Sequence, residues 1–282
     1  MVTVAPAERR ARAALTALAP GTVRDAAVHH DGAEAVWRLH ADTRADVDPD
    51  GLLAVHAAHG WRLLCPGDDE WPARLTPPGG GPLALWVRGA GHCARLTERS
   101  VGVAGTHSPS LGGLVHAEQL AGDLTSAQPP ITVAAVVSAG ISRRALAAAA
   151  SRGAAVAILA GAEGAWHAAL VAAVASRGVV VAMSPPLRAA SAVGGPAHRH
   201  ATARTMLLAR LCLGIVVVEA DTGGRAMAMA RAARARGRVV MAVPADRPMT
   251  ARRHAGCQIL LRSGGAVPVA TAADIVSRLP TR

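Results

Sequence analysis

From Ser100 onward, short apolar runs with no polar interruption alternate with longer Ala- and Arg-rich stretches. The runs are SVGVA from Ser100, ITVAAVV at 131–137, AAVAILA at 154–160, GVVVAM from Gly178, Ile215–Val218 and Val239–Val243. Continuous β-branched runs of this length, bounded by Gly, Pro and Ser, predict strands buried on both faces, as in a parallel sheet covered by helices. The intervening stretches predict helices from about Leu111 to Leu124, over RRALAAAASRG, over Trp166–Ser176, over ARTMLLARLC and from Arg225 onward. A further helix, a short strand at Ala266–Val269 and a last helix close the chain. The clearest β-α-β unit is Gly214–Ala245. This alternation predicts an α/β fold, a doubly wound sheet of six or seven mostly parallel strands, and excludes a β-sandwich.

Residues 1–60 have a different texture. AERRARAALTALA and TVRDAAVHHDGAEAVWRLH predict short helices broken at Pro20 and Gly21, Asp42–Asp50 reads as an acidic linker, and Leu52–His59 as another short helix. Ala33, Val36, Trp37 and Leu39 offer too few apolar side chains for an independent core. The expected division is therefore a small helical region and linker at 1–60 and a main domain at 61–282, which begins with short strands at Trp61 and at Leu83–Val87.

Composition changes this picture mainly through charge. Phe, Tyr, Lys and Asn are absent, which is the mark of a GC-rich coding sequence, and all 30 basic residues are Arg. Residues 1–60 carry 6 Arg against 8 acids, whereas residues 61–282 carry 24 Arg against 11 acids. The excess is densest between Arg188 and Arg262, where 13 Arg face only Glu219, Asp221 and Asp246. Codon bias explains Arg in place of Lys but not the excess of one sign. Arg donates bidentate hydrogen bonds to phosphate, so a polyanion-binding face is expected. The only aromatic rings besides histidine belong to five Trp, so base stacking has few candidates. The four Cys lack CxxC spacing, and the paired His residues lack acidic neighbours at ligand spacing, so neither zinc nor a disulfide framework is expected. No apolar run approaches the ~20 residues of a membrane span, and a cytoplasmic protein is expected.

Candidate chemistry lies where strands end. Gly105, Thr106 and His107 form a polar turn before a helix whose first turn holds Gly112, and Thr222 and Gly223 form another beyond Glu219. Backbone N–H groups at such helix starts favour anions, and ligands of doubly wound sheets bind beyond the carboxyl ends of the strands.

Several stretches then resemble one family, the DNA-processing protein A (DprA/Smf) family and in particular its high-GC actinobacterial members. WRLLCPGDDEWPARL with PLALWVRG is similar to the family's "PGD.eWP.rL … lWvRG", and SVGVAGTH to its "vaiVGsR". GIVVVEADTGG resembles "vVvEa…SG", GRVVMAVPA resembles "GR.V.avPG", and RRHAGCQILLRSGGA resembles "s.G...Li..GA". The order and spacing hold from Trp61 to about Ile275. The resemblance implies an extended Rossmann-like domain that binds single-stranded DNA without sequence preference, forms a homodimer and helps load a RecA-type recombinase in natural transformation. It implies no established catalytic reaction and no cofactor. It also implies that the N-terminal helices correspond to the SAM-like or helix-hairpin-helix extension of many members, and that the C-terminal winged helix of some members is not to be expected here.

The pocket motifs depart from the family pattern. His107 stands where the first turn of the family ends in Arg. AVVSAGIS keeps only Gly140 and Ile141 of "SGgA.GID", with Ser142 for Asp and Val136 and Val137 for glycines. The family's "RNR" becomes Arg204, Thr205 and Met206. On the leading reading, Gly105, Thr106, His107, Gly112, Gly140, Ile141, Arg199, Arg204, Thr222, Gly223 and Arg225 form the DNA- and phosphate-binding set, and Arg143 and Arg144 add to it. Two alternatives stand beside it. One is a nucleotide-binding protein or hydrolase similar to LOG-type phosphoribohydrolases, with Glu219 as its catalytic acid. The other is an interaction paralogue without DNA affinity.

Overall fold

The computed structural model describes residues 4–18, 22–23, 25–42, 46–76, 81–159, 167–188, 197–245 and 253–280. Among them the apolar runs form one nine-stranded sheet. The strands are β1 (Trp61–Leu64), β2 (Leu85–Arg88), β3 (Ser100–Ala104), β4 (Thr132–Val136), β5 (Ala155–Ile158), β6 (Val179–Ala182), β7 (Gly214–Val217), β8 (Val239–Ala242) and β9 (Val267–Pro268). Their order is β1-β2-β6-β5-β4-β3-β7-β8-β9. The seven strands from β6 to β9 in that order are parallel, and β1 and β2 are added antiparallel at one edge. The expected α/β doubly wound architecture is thus the observed one.

The strands are buried on both faces because helices cover both. One core contains Val101, Val103, Val133 and Ala135 with Leu120, Leu146 and Val171, which lie on α6 (Leu111–Ser126), α7 (Ile141–Arg152) and α8 (Ala168–Ala175). The alternate strand residues, Ala104, Ala134 and Val156, join Leu207, Leu208, Met229 and Leu260 on the opposite face. Those helices are α9 (Ala197–Leu211), α10 (Arg225–Arg234) and α11 (Ala255–Arg262). Period-two alternation along each strand therefore divides one apolar run between two cores. The helix after β3 lies on one face and the helix after β7 on the other, so the neighbours β3 and β7 flank the crevice where such sheets bind ligands.

Local chemistry sets the ends. Ser110 caps α6 by accepting the Gly113 N–H, and the last helix, α12 (Ala272–Arg278), starts with a reciprocal Thr271–Asp274 capping box. Helix α7 begins two residues before the expected start because Gly140 takes a φ of 74° and turns the chain there. Trp166 and much of the loop before α9 lie outside the described residues.

The helices of residues 1–60 are α1 (Pro6–Thr16), α2 (Asp25–Asp31), α3 (Ala33–Ala41) and α4 (Pro49–Ala58), and a short α5 (Cys93–Glu98) connects β2 to β3. Asp48 caps α4, so the acidic linker ends there. Their own core is small, built on Leu15, Leu18, Val28 and Val36, and they are fastened to the sheet as well. Arg9 binds both carboxylate oxygens of Asp68, at 2.7 and 2.9 Å, and the Leu63 carbonyl. The indole N–H of the fully buried Trp86 donates to the Thr16 hydroxyl at 3.0 Å, and the His56 ring packs against the same indole.

Candidate nucleic-acid interface

The carboxyl ends of β3, β4 and β7 meet in a narrow space, and steric fit explains several residues there. Gly105 follows β3, and a side chain on it would collide with Ile141, whose Cγ1 would lie 2.5 Å from the added carbon. Ile141 is fully buried and donates its backbone N–H to the Thr106 carbonyl, so its side chain packs the turn and is closed to a ligand. Gly140 presses equally close to Thr106 and His107. The Gly105–His107 turn is thus wedged against the start of α7 on one side.

On its other side the turn is fixed by Glu219. The Glu219 carbonyl accepts the Thr106 N–H at 2.7 Å, and its carboxylate, fully buried, accepts the Ser110 N–H at 2.9 Å and the Ser110 hydroxyl. His254 Nε2 lies 3.5 Å from the same carboxylate. Glu219 therefore spends its charge on the first turn of α6, where a carboxylate is favoured.

What remains open is a set of three adjoining spaces. A cleft of about 480 Å³ is lined by Gly105, Thr106, His107, Ser108, Asp221, Gly223, Gly224 and Arg225. Behind it lies a more enclosed cavity of about 240 Å³, lined by His107, Ser138, Ser142, His167, Arg204, Thr205 and Arg225 over a floor that includes Ala104, Val136 and Val137. A third depression, beside His107, Gly140, Arg143 and Arg144, opens towards α7. Arg144 lies 3.5 Å from Glu118.

His107 and Arg225 line both of the first two spaces, and Arg204 joins them at the second. Nη2 of Arg225 lies 2.9 Å from Nδ1 and 3.1 Å from Nε2 of His107. A ring nitrogen can accept a guanidinium hydrogen only when the imidazole is neutral. Burial, and secondarily the Arg225 charge, hold the His107 pKa below the usual histidine value. The same two causes, burial first, lower that of Arg204. Cations held close together in a partly dry space favour an anion between them.

Of the residues singled out in the sequence, the structure brings together Gly105, Thr106, His107, Gly223, Arg204 and Arg225, with Gly140 and Arg143 at the adjoining depression. Gly112 is exposed in the first turn of α6 and lines none of these spaces, and Thr222 is an exposed turn residue beside Gly223. The Arg199 side chain lies outside the described residues. Ser138, Ser142, His167 and Thr205 also line the cavity behind the cleft; Ser142 and Thr205 are read in the sequence only as departures from the family motifs, and Ser138 and His167 are not singled out there. Ser138 and Ser142 stand where a glycine-rich motif is degenerate, and nothing local marks His167. Among the described residues no cluster of His, Cys, Asp or Glu could hold a metal, and no helix is long and apolar enough to cross a membrane.

A mostly parallel, doubly wound sheet with a cleft at its switch point and Arg204 and Arg225 in the cavity behind it defines a Rossmann-like α/β protein. The family profile described as DNA recombination-mediator protein A matches residues 62–280, and the chain belongs to that family. It is 36% identical over 274 residues to a Mycobacterium tuberculosis (strain H37Rv) protein named as a candidate DNA processing protein DprA, covering 91% of this chain and 65% of that one. The match thus spans just under two thirds of that relative's own length. The fold is that of the X-ray structure of DNA processing protein A from Streptococcus pneumoniae, with a TM-score of 0.76 at 18% identity over 99% of this chain and 100% of that one. It is also similar to DNA processing protein A from Helicobacter pylori, whose structure is described for its single-stranded DNA binding mode, with a TM-score of 0.62 at 16% identity over 77% and 94% of the chains.

Proposed function

We propose that this protein binds single-stranded DNA without sequence preference through the cleft between β3 and β7, acts without catalysing a reaction, and passes the strand to a RecA-type recombinase during DNA uptake or recombination. The observation that carries this reading is the convergence of Arg204 and Arg225 beside the Gly105–His107 turn in a recombination-mediator fold. Guanidinium and backbone N–H donors contact phosphate and ignore base identity. The few aromatic side chains fit a binder that holds the backbone more than the bases. A cytoplasmic homodimer completes the proposal, as the family resemblance implies.

The hydrolase reading is less favoured because Glu219 is fully buried and both its carboxylate oxygens are engaged by Ser110. An acid–base residue must reach its substrate, and this one supports a helix instead. The test is competition: labelled strands of unrelated sequence should bind alike and resist displacement by duplex. Strong sequence preference, or equal binding of duplex, would refute it. Sedimentation with and without a recombinase filament on the same strand tests the partner and the dimer.

A further inference from the structure

The cavity behind the cleft has about half the cleft's volume and is less open to solvent. Its volume of about 240 Å³ is below the roughly 300–1,000 Å³ of pockets that engulf whole small ligands. Val136 and Val137 close its floor, Thr205 and Met229 wall it from the side of α9 and α10, and Ser142 and His167 wall it from the other. A running strand must enter and leave, whereas a strand end need only enter.

Charge and hydrogen bonding point the same way. Arg204 and Arg225 both line the cavity, close enough for the charge of one to disfavour that of the other. A bridging phosphodiester brings one negative charge, while a terminal phosphomonoester brings about −1.5 to −2 at neutral pH and three acceptor oxygens. The acid nearest the cleft, Asp221, lines the open space and not this one. His167 Nδ1 is buried and has no hydrogen-bond partner among the described residues, which is uncommon for a buried ring nitrogen. Ser138 and Ser142 place hydroxyls in the same cavity.

We propose that this cavity binds the terminal phosphomonoester of a nucleotide, presented by the phosphorylated end of a DNA single strand or by a free nucleoside monophosphate, with Arg204 and Arg225 on the dianion and Ser142 and His167 as hydrogen-bonding partners. The inference deepens the single-stranded DNA reading and rests on it for the strand-end source alone. The body of the strand lies along the open cleft, with its phosphates reaching Arg225 and Arg204 where cleft and cavity meet, and the rest of the cavity recognises where the strand stops.

The experiment measures the affinity of the full chain at pH 7.5 for one internally labelled oligonucleotide in four forms: 5′-phosphorylated, 3′-phosphorylated, unphosphorylated and circular. One of the phosphorylated forms should bind about tenfold or more tightly than the circle, the effect of one or more extra charge-assisted hydrogen bonds. That ratio should fall towards one in His167→Ala and in the cavity-filling Ser138→Leu, with the circular strand reporting that each variant is folded. Displacement of the strand by deoxyadenosine monophosphate but not by deoxyadenosine would identify the free nucleotide as a ligand; a gain confined to the oligonucleotide would identify the strand end. Equal affinity of all four forms together with no competition by the monophosphate overturns the inference and leaves the single-stranded DNA reading intact. If no oligonucleotide binds, calorimetry with deoxyadenosine monophosphate decides: heat of binding supports the cavity assignment without the DNA reading, and its absence ends both.

Discussion

The Glu219 carboxylate, at the end of β7, accepts the Ser110 backbone N–H at 2.9 Å and so fastens the start of α6 from 109 residues away. With the Ser110 hydroxyl on its other oxygen, this one side chain ties the end of β7 to the helix that follows β3. Replacing Glu219 by Ala should lower stability by about 1.5–3 kcal/mol, the range for a hydrogen-bonded buried charge. It should also weaken DNA binding by loosening the Gly105–His107 turn. Urea denaturation read alongside an activity assay separates the roles. The wild-type protein should release no base from a nucleoside monophosphate, and release abolished by Glu219→Gln would instead restore the hydrolase reading.

His107 should make DNA affinity depend on pH. The neutral ring faces Arg225 directly, with Arg204 in the same cavity, Arg143 and Arg144 in the adjoining depression and Asp221 in the open cleft. An incoming phosphate favours the protonated ring, so binding should take up a proton and tighten as pH falls below the ordinary histidine value of about 6.5. His107→Arg should bind more tightly at pH 7.5 and lose most of this dependence. Isotherms from pH 8 to pH 5.5 check it; parallel curves for the two proteins would remove His107 from the interface.

A second histidine should govern stability. His56, nearly fully buried on α4, donates from Nδ1 to the Leu52 carbonyl at 2.7 Å and accepts the Leu187 N–H at Nε2, 3.2 Å away. Both nitrogens are committed in the neutral form, and burial lowers the folded-state pKa. Below about pH 6.5 the unfolded chain therefore binds the proton more readily, and this stability is lost as pH falls through the ordinary value towards the lowered one. Melting temperatures from pH 8 to pH 5 should drop more steeply for the wild type than for His56→Gln. Equal slopes would contradict the assignment.

The N-terminal helices should prove to be part of the folding unit. The paired Arg9 and Asp68 are partly buried, and Trp86 is closed to solvent beneath α1 and α4. Arg9→Ala should cost about 1–3 kcal/mol, most of it from leaving the Asp68 carboxylate and the Leu63 carbonyl without their donor. A chain beginning at Trp61 should expose Trp86 and aggregate or melt early, visible as a red-shifted tryptophan emission. A well-folded, soluble 61–282 fragment would show that the two regions are independent.

Much of this architecture is legible in the sequence, for a physical reason. Strands such as Val133–Ala135 and Ile215–Val217 are buried on both faces, so their sequences carry no polar residue and stand out against Arg-rich helices. The turns at Gly105 and Gly140 were legible because only glycine fits where Ile141 and the Thr106 carbonyl press in. The site was legible only in part. Arg204 and Arg225 could be singled out by charge, but nothing in the sequence says that they share one cavity, because their approach is set by the packing of α9 on β3 and β4 and against α10, which in turn packs on β7 and β8. His167 and Ser142 are ordinary residues until the fold turns them inward. Ile141, which the family motif suggested as a binding residue, belongs to the packing beneath the turn.

The most direct test of the account is the salt dependence of single-stranded DNA binding, measured by fluorescence anisotropy for the wild type and for Arg204→Ala/Arg225→Ala. Each lost phosphate contact should reduce the slope of log K against log salt by about 0.7 on a single strand. The account predicts a wild-type protein whose affinity falls steeply with salt and a double variant that is weaker at low salt and shallower by about 1.4, two such contacts. An unchanged slope and affinity in the double variant would place the DNA elsewhere on the molecule and contradict the assignment of this cleft.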